Sequence, residues 1–213
     1  MVSDPVASSV VNSLARPDGN LTGWSNMLPD TSEKLLEYLG AMKPGMARVA
    51  VLTNPGNPGN PGKVLEVAKL RQAAARLGLT LRPKELRDAA DIDTAFTEIA
   101  GERTDALIIL VDGVTLTNRQ RIVDLAAKQR LPAIYQVREF VEAGGLMSFG
   151  LNISRQQERT AEYMHRIFKG AKPADLPVEQ PTRVELVISG KVARALGLKI
   201  SQALLISAEE VID

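Results

Sequence analysis

The sequence predicts an α/β fold built on a doubly wound parallel sheet, with hinge crossings and a remnant of a second body attached. Three observations predict it. Segments rich in β-branched residues alternate regularly with segments of helical period. Residues 106–111, ALIILV, are apolar throughout, as a strand buried on both faces must be. Residues 170–198 read as a helix end, a crossing punctuated by Pro173, Pro177 and Pro181, a strand and a last helix, and such a crossing needs two bodies to connect.

The elements follow in order. Asp4 before Pro5 is a helix start, since a carboxylate can cap free N–H groups and proline at the first helical position loses nothing; a short helix to about Ala15 is expected. Residues 16–23 form a connector rich in turn formers. Leu35, Leu36, Leu39 and Met42 then fall at helical spacing behind Asp30, Thr31 and Ser32. Strands are expected at 48–53, 80–86, 106–111 and 133–135, with helices at 63–77, 92–103 and 119–130. After Phe140 and Val141 the pattern is interrupted by Gly144 and Gly145. A short strand at 146–149 and a helix at 154–169 follow, and both read as detached from the main sheet. A strand at 183–188 and a final helix close the chain. This divides it into one α/β lobe, residues 25–143 and 182–213, and a set of hinge crossings with remnant elements, residues 1–24 and 144–181.

Composition narrows the function. The 213 residues are 45% apolar, ample for a packed core of a soluble globular protein. Lys plus Arg is 26 against 25 for Asp plus Glu, and aromatic residues make up only 4%, so neither a basic field nor stacking platforms point to nucleic acid. Zero cysteines excludes disulfides and zinc-thiolate sites. The scattered acidic residues have no metal-ligand spacing, and no cofactor motif is present. Residues 1–10 lack the basic start and long apolar core of a signal peptide, so the chain, if complete as it stands, is expected in the cytoplasm.

Candidate site residues cluster where strands end. The threefold Asn-Pro-Gly of residues 54–62 follows a strand and opens a helix, where backbone N–H groups and the helix dipole can hold an anion; Asn54, Asn57 and Asn60 are the candidate contacts. The competing reading is structural: Pro55, Pro58 and Pro61 lack N–H groups, and Asn60 capping a helix explains the spacing without a ligand. No Gly-Lys-Ser/Thr follows, so this is not a P-loop. Asp112 ends a buried strand, the place where open parallel sheets gather ligands, and its carboxylate could pair with an ammonium group while Gly113, Thr115 and Thr117 offer backbone approach and hydroxyls. A helix cap at a turn is the alternative. Tyr135 ends the next strand and is expected to stack on a ligand at the same rim, or else to be a core tyrosine. Arg138 and Glu139 could form an ion pair. His165, the single histidine, reads as a surface group, and no serine or cysteine nucleophile motif accompanies it, so no catalytic residue is assigned.

Several stretches together resemble one family. SDPVAS at residues 3–8, SLARPDGNLTG at 13–23, RVAVLTNP at 48–55, LPAIYQVREFVEAGGLMSFG at 131–150 and the 170–198 tail are similar to the substrate-binding proteins of a group of bacterial ABC transporters, whose better understood members bind aromatic amino acids. The resemblance implies one lobe of a type I periplasmic-binding-protein fold, a small metabolite such as an amino acid held in an interlobe cleft, a membrane permease as partner and a periplasmic location. It also places Asp4 beneath the ligand and turns the 54–62 loop toward the cleft. In that family SDPVAS follows a complete first lobe, so the 154–169 helix, with Ala161, Met164, Ile167 and Phe168 on one face, is expected to lack its packing partner. This chain departs from the family in having Gly113 after Asp112 where an Asp-Asn pair is usual, Leu151, Asn152 and Ile153 where a tyrosine is frequent, and Ser189 in place of asparagine. Two other readings stay open: an enzyme on a Rossmann-like lobe with a base near Asp112, and a self-associating homodimer formed through the remnant.

Overall fold

The computed structural model describes residues 5–6, 10–25, 31–57, 62–180 and 184–213. Its centre is a seven-stranded sheet of order β2-β1-β3-β4-β5-β6-β7, formed by β1 (Arg48–Thr53), β2 (Thr80–Glu85), β3 (Ala106–Ile109), β4 (Ala133–Val137), β5 (Met147–Leu151), β6 (Glu185–Ser189) and β7 (Glu210–Ile212). Neighbours are parallel except β5 and β6, which pair antiparallel.

The helices cover both faces, and the strand period of two sorts the core accordingly. On one face α1 (Ser32–Met42), α2 (Gly62–Arg76), α8 (Gly190–Leu196) and α9 (Gln202–Ser207) bury Leu35, Leu39 and Leu70 with Val49, Val51 and Ile108. On the other, α3 (Asp91–Gly101), α5 (Arg119–Lys128) and α6 (Glu139–Glu142) bury Phe96, Ile122 and Phe140 with Ala50, Leu52, Leu107 and Ile109. A five-residue helix, α4 (Gly113–Thr117), sits directly after β3. The edge strand β2 has the sequence TLRPKE, and its charges and Pro83 keep an exposed edge from pairing with another chain.

The expected strands and helices of the 48–135 region are all present. Three expectations are corrected. Residues 10–15 are bends rather than helix: the Val10 and Val11 amides both donate to the Pro5 carbonyl. The strand expected to be detached at 146–149 is β5, paired with β4 on one side and β6 on the other, so the main lobe continues through Leu151. The reason is a close approach that the two-glycine interruption hid: Gly150 lies so near Gln136 that a Cβ there would sit 1.8 Å from the Gln136 carbonyl oxygen. Finally, α4, α6, α9 and β7 were not foreseen, because each is too short to show a period.

Beyond β5 the chain enters α7 (Ile153–Phe168), which is bonded to the crossing at Pro177 and Glu179. The Tyr163 hydroxyl shares its one hydrogen between the Pro177 carbonyl at 2.9 Å and Glu179 at 2.8 Å, and Arg159 donates to the same carboxylate at 3.0 Å. Burial, then the Glu179 carboxylate, pushes the Tyr163 hydroxyl pKa up to about 12. Glu179 also bridges Trp24 through backbone bonds to Gly23 and Ser25, tying two crossings together. The other face of α7 is open, with Phe168 81% and Met164 51% exposed, as expected for the helix. Among the described residues no helix is long and apolar enough to cross a membrane.

Candidate functional site

Because β1, β2 and β3 are parallel, their carboxyl ends share one edge of the sheet, and the loops that leave them enclose a cleft of about 540 Å³. It is lined by residues 54–57 after β1, Glu85 and Arg87 at the end of β2, and residues 112–114 after β3.

Asp112 is the centre of this site. It is 7% exposed, and its backbone is extended just before α4. One carboxylate oxygen accepts from the Val114 amide at 2.9 Å and from the Asn54 side-chain amide at 3.2 Å, while the other accepts from the Asn57 side-chain amide. The side chain is therefore a helix cap and also a charge held in place by the β1 loop. Of the two readings drawn from the sequence, the helix cap is present. Asn54 and Asn57 act on the cleft by fixing this carboxylate.

Thr115 lies elsewhere than expected. It is fully buried, its Oγ1 accepts from the Asp112 amide at 2.9 Å and donates to the Leu110 carbonyl at 3.1 Å, so it locks the turn from beneath and offers no hydroxyl to the cleft. Tyr135 is also corrected. It is 1% exposed and stacked on Phe140 with ring centroids 4.6 Å apart. β4 continues two residues past it, to Val137, so Tyr135 lies within the strand and faces the α5–α6 side instead of the rim. Burial pushes its hydroxyl pKa far above the ordinary tyrosine range. Asp4 and Asn60 lie outside the described residues. Arg138 is engaged in ion pairs, with Glu142 at 2.8 Å, Glu210 at 3.0 Å and Glu185 at 3.5 Å. Glu139 is half-buried, and desolvation raises its pKa.

Two groups were missed. Glu85 and Arg87 reach the cleft from the end of β2, and the strand-end rule that singled out Asp112 would have found them had it been applied to the edge strand. Neither makes an ion pair among the described residues. The cleft therefore holds one fixed carboxylate, Asp112, together with a guanidinium and a second carboxylate, Glu85, that make no ion pair among the described residues.

A buried polar chain lies behind this edge. The Val111 amide donates to Gln136 Oε1 at 2.7 Å, Gln136 donates to Glu66, and Lys63 Nζ donates to Glu66 at 2.9 Å; Lys63, Glu66 and Gln136 are all at most 2% exposed. It links the residue before Asp112 to the first turn of α2, which follows the Asn54–Asn57 loop.

The family described as ABC transporter substrate binding protein matches residues 1–212. A tyrosine-binding protein of Clostridioides difficile is 22% identical over 198 residues, which is 93% of this chain and 56% of that protein. The chain thus spans little more than half the length of that curated relative. Among solved structures, a conserved domain protein from Vibrio cholerae superposes with a TM-score of 0.84 at 28% identity, covering 98% of this chain and 69% of that one. An ABC domain from Streptococcus pneumoniae in complex with L-Trp gives the same TM-score, 0.84, at 25% identity, covering 99% of this chain and 71% of that one. Fold, strand-edge cleft and family match agree: the chain belongs to the ABC transporter substrate-binding protein family, and its mostly parallel sheet is part of the type I periplasmic-binding-protein fold.

Proposed function

We propose that this chain supplies the ligand-contacting lobe of an importer's receptor and that its ligand is an α-amino acid. The observation that carries the reading is that the cleft holds both signs of charge, the carboxylates of Asp112 and Glu85 and the guanidinium of Arg87. Asp112, fixed by Asn54, Asn57 and its own helix, suits an ammonium group, and Arg87 suits a carboxylate. A free amino acid presents both within one small molecule. The ligands of two relatives, L-Trp and tyrosine, support an aromatic side chain. The cleft wall described here contributes no aromatic ring, so a ring of the ligand would find its apolar contacts across the cleft.

Binding of this kind works by differential stabilisation: a ligand that bridges two bodies favours the closed arrangement, and a membrane permease reads that arrangement. Specificity then comes from contacts, with no bond made or broken. This reading places the protein in the periplasm.

A thermal-shift panel of the common amino acids tests it. A ligand present at one hundred times its dissociation constant adds about 2.7 kcal/mol of stability. We expect a response to one or a few amino acids and none to sugars. A response to sugars alone would reject the amino-acid assignment.

A further inference from the structure

A second pocket lies at the opposite end of the sheet from the cleft, where the chain leads into β4 and β5, between the carboxyl ends of α5 and α8. Its volume is about 310 Å³, and its walls include Val123, Leu131, Val192 and Leu196. That is at the lower end of the roughly 300–1,000 Å³ of small-molecule sites. Tyr135, the residue that the cleft does not use, lines it. The phenol is 99% buried by residue yet its hydroxyl is not among the polar atoms sealed from solvent, and it has no hydrogen-bond partner among the described residues. Gly145 is what leaves it room: a Cβ there would lie 2.5 Å from the Tyr135 ring. The pocket is therefore an apolar chamber with one unused donor.

Its electrostatics select the charge of a guest. The carboxyl ends of α5 and α8 each bring a partial negative charge, at most about half an elementary charge. Arg130 at the rim donates to the Ala195 carbonyl at 3.3 Å and makes no ion pair among the described residues, so its full positive charge offsets both helix ends. With these charges offset, the pocket presents no net counter-charge to an anion or to a cation. We propose that this pocket is a second binding site, for a small uncharged, largely apolar molecule that accepts one hydrogen bond from Tyr135. The site is independent of the amino-acid reading of the cleft.

The test uses three probes of similar shape, followed by amide NMR of the whole chain: acetophenone, which accepts a hydrogen bond, ethylbenzene, which does not, and the anion phenylacetate. Saturable shifts at Ala126, Val192 and Leu196 are expected with acetophenone. Ethylbenzene should bind about fivefold more weakly, the equivalent of one ordinary hydrogen bond. Phenylacetate should bind more weakly than acetophenone. In Tyr135→Phe, whose shape keeps the core filled and whose remaining spectrum reports the fold, the preference for acetophenone over ethylbenzene should vanish. Absence of saturable shifts at those three amides, tightest binding by phenylacetate, or a preference that survives in Tyr135→Phe would each overturn the proposal.

Discussion

Asp112 has two roles that a single substitution can separate. As a cap it accepts from the Val114 amide, and as a charge it is aligned by Asn54 and Asn57. Asp112→Asn keeps a good capping oxygen but turns an amide toward one of the two donors, so it should cost roughly 1 kcal/mol in urea denaturation. Asp112→Ala removes cap and acceptors together and should cost about 2 kcal/mol. Equal losses would mean that the cap contributes nothing and that the carboxylate charge carries the whole effect. A second carboxylate, Asp105, adds to the acid sensitivity of the fold. Burial opposes its charge, but the Ala47 and Arg48 amides and the Arg48 guanidinium outweigh that, and its pKa is held below the ordinary value. A depressed carboxylate pKa contributes stability that is present above the unfolded value, about 3.9, and is lost as pH falls through the folded one. Denaturation midpoints measured between about pH 5 and pH 2.5 should therefore fall less steeply for Asp105→Asn than for the parent chain.

At the scale of elements, the sheet and the loops that leave it are coupled by the Lys63–Glu66–Gln136 chain. Lys63→Met would strand a buried carboxylate and should destabilise the protein by about 3 kcal/mol. The double variant Lys63→Met with Glu66→Gln removes both charges, lets residue 66 still accept from Gln136, and should recover much of that loss. If the double variant is no better than the single one, the pair is not what holds these elements together. Gly150 is the other joint: with a Cβ 1.8 Å from the Gln136 oxygen, Gly150→Ala must push β4 and β5 apart. A cost of about 3 kcal/mol by thermal denaturation is expected. That same joint explains what the sequence left hidden. The alternation from β1 to β4 is carried by continuous apolar runs and by amphipathic helices of ten or more residues, so it was legible. β5 was read as detached from the sheet because its partner strands are β4 and the distant β6, a pairing set by tertiary contact and unmarked by any local pattern. Tyr135 was misplaced by two residues of strand length, which in a strand decides whether a side chain reaches the end or stays in the core. The place of Asp112 in the cleft was legible because a charge immediately after an all-apolar strand breaks the pattern at the carboxyl edge of the sheet. Glu85 and Arg87 were not, because β2 is an edge strand whose polar residues look like ordinary edge protection.

At the scale of the whole molecule, the two ends of the sheet have different characters. The carboxyl edge holds a fixed carboxylate in an open cleft, while the opposite end holds an apolar chamber, and the crossings through Trp24, Leu151 and Glu179 lead from the sheet to α7 and its exposed face. The central claim concerns the first of these: a ligand's ammonium group is held by Asp112. It is tested most directly by calorimetric titration of the amino acid that gives the largest thermal shift, alongside its deaminated analogue, which keeps the carboxylate and side chain. The account predicts saturable binding of the amino acid and a loss of at least about tenfold in affinity for the analogue, the equivalent of one charge-assisted hydrogen bond. Equal affinity for the two would contradict it.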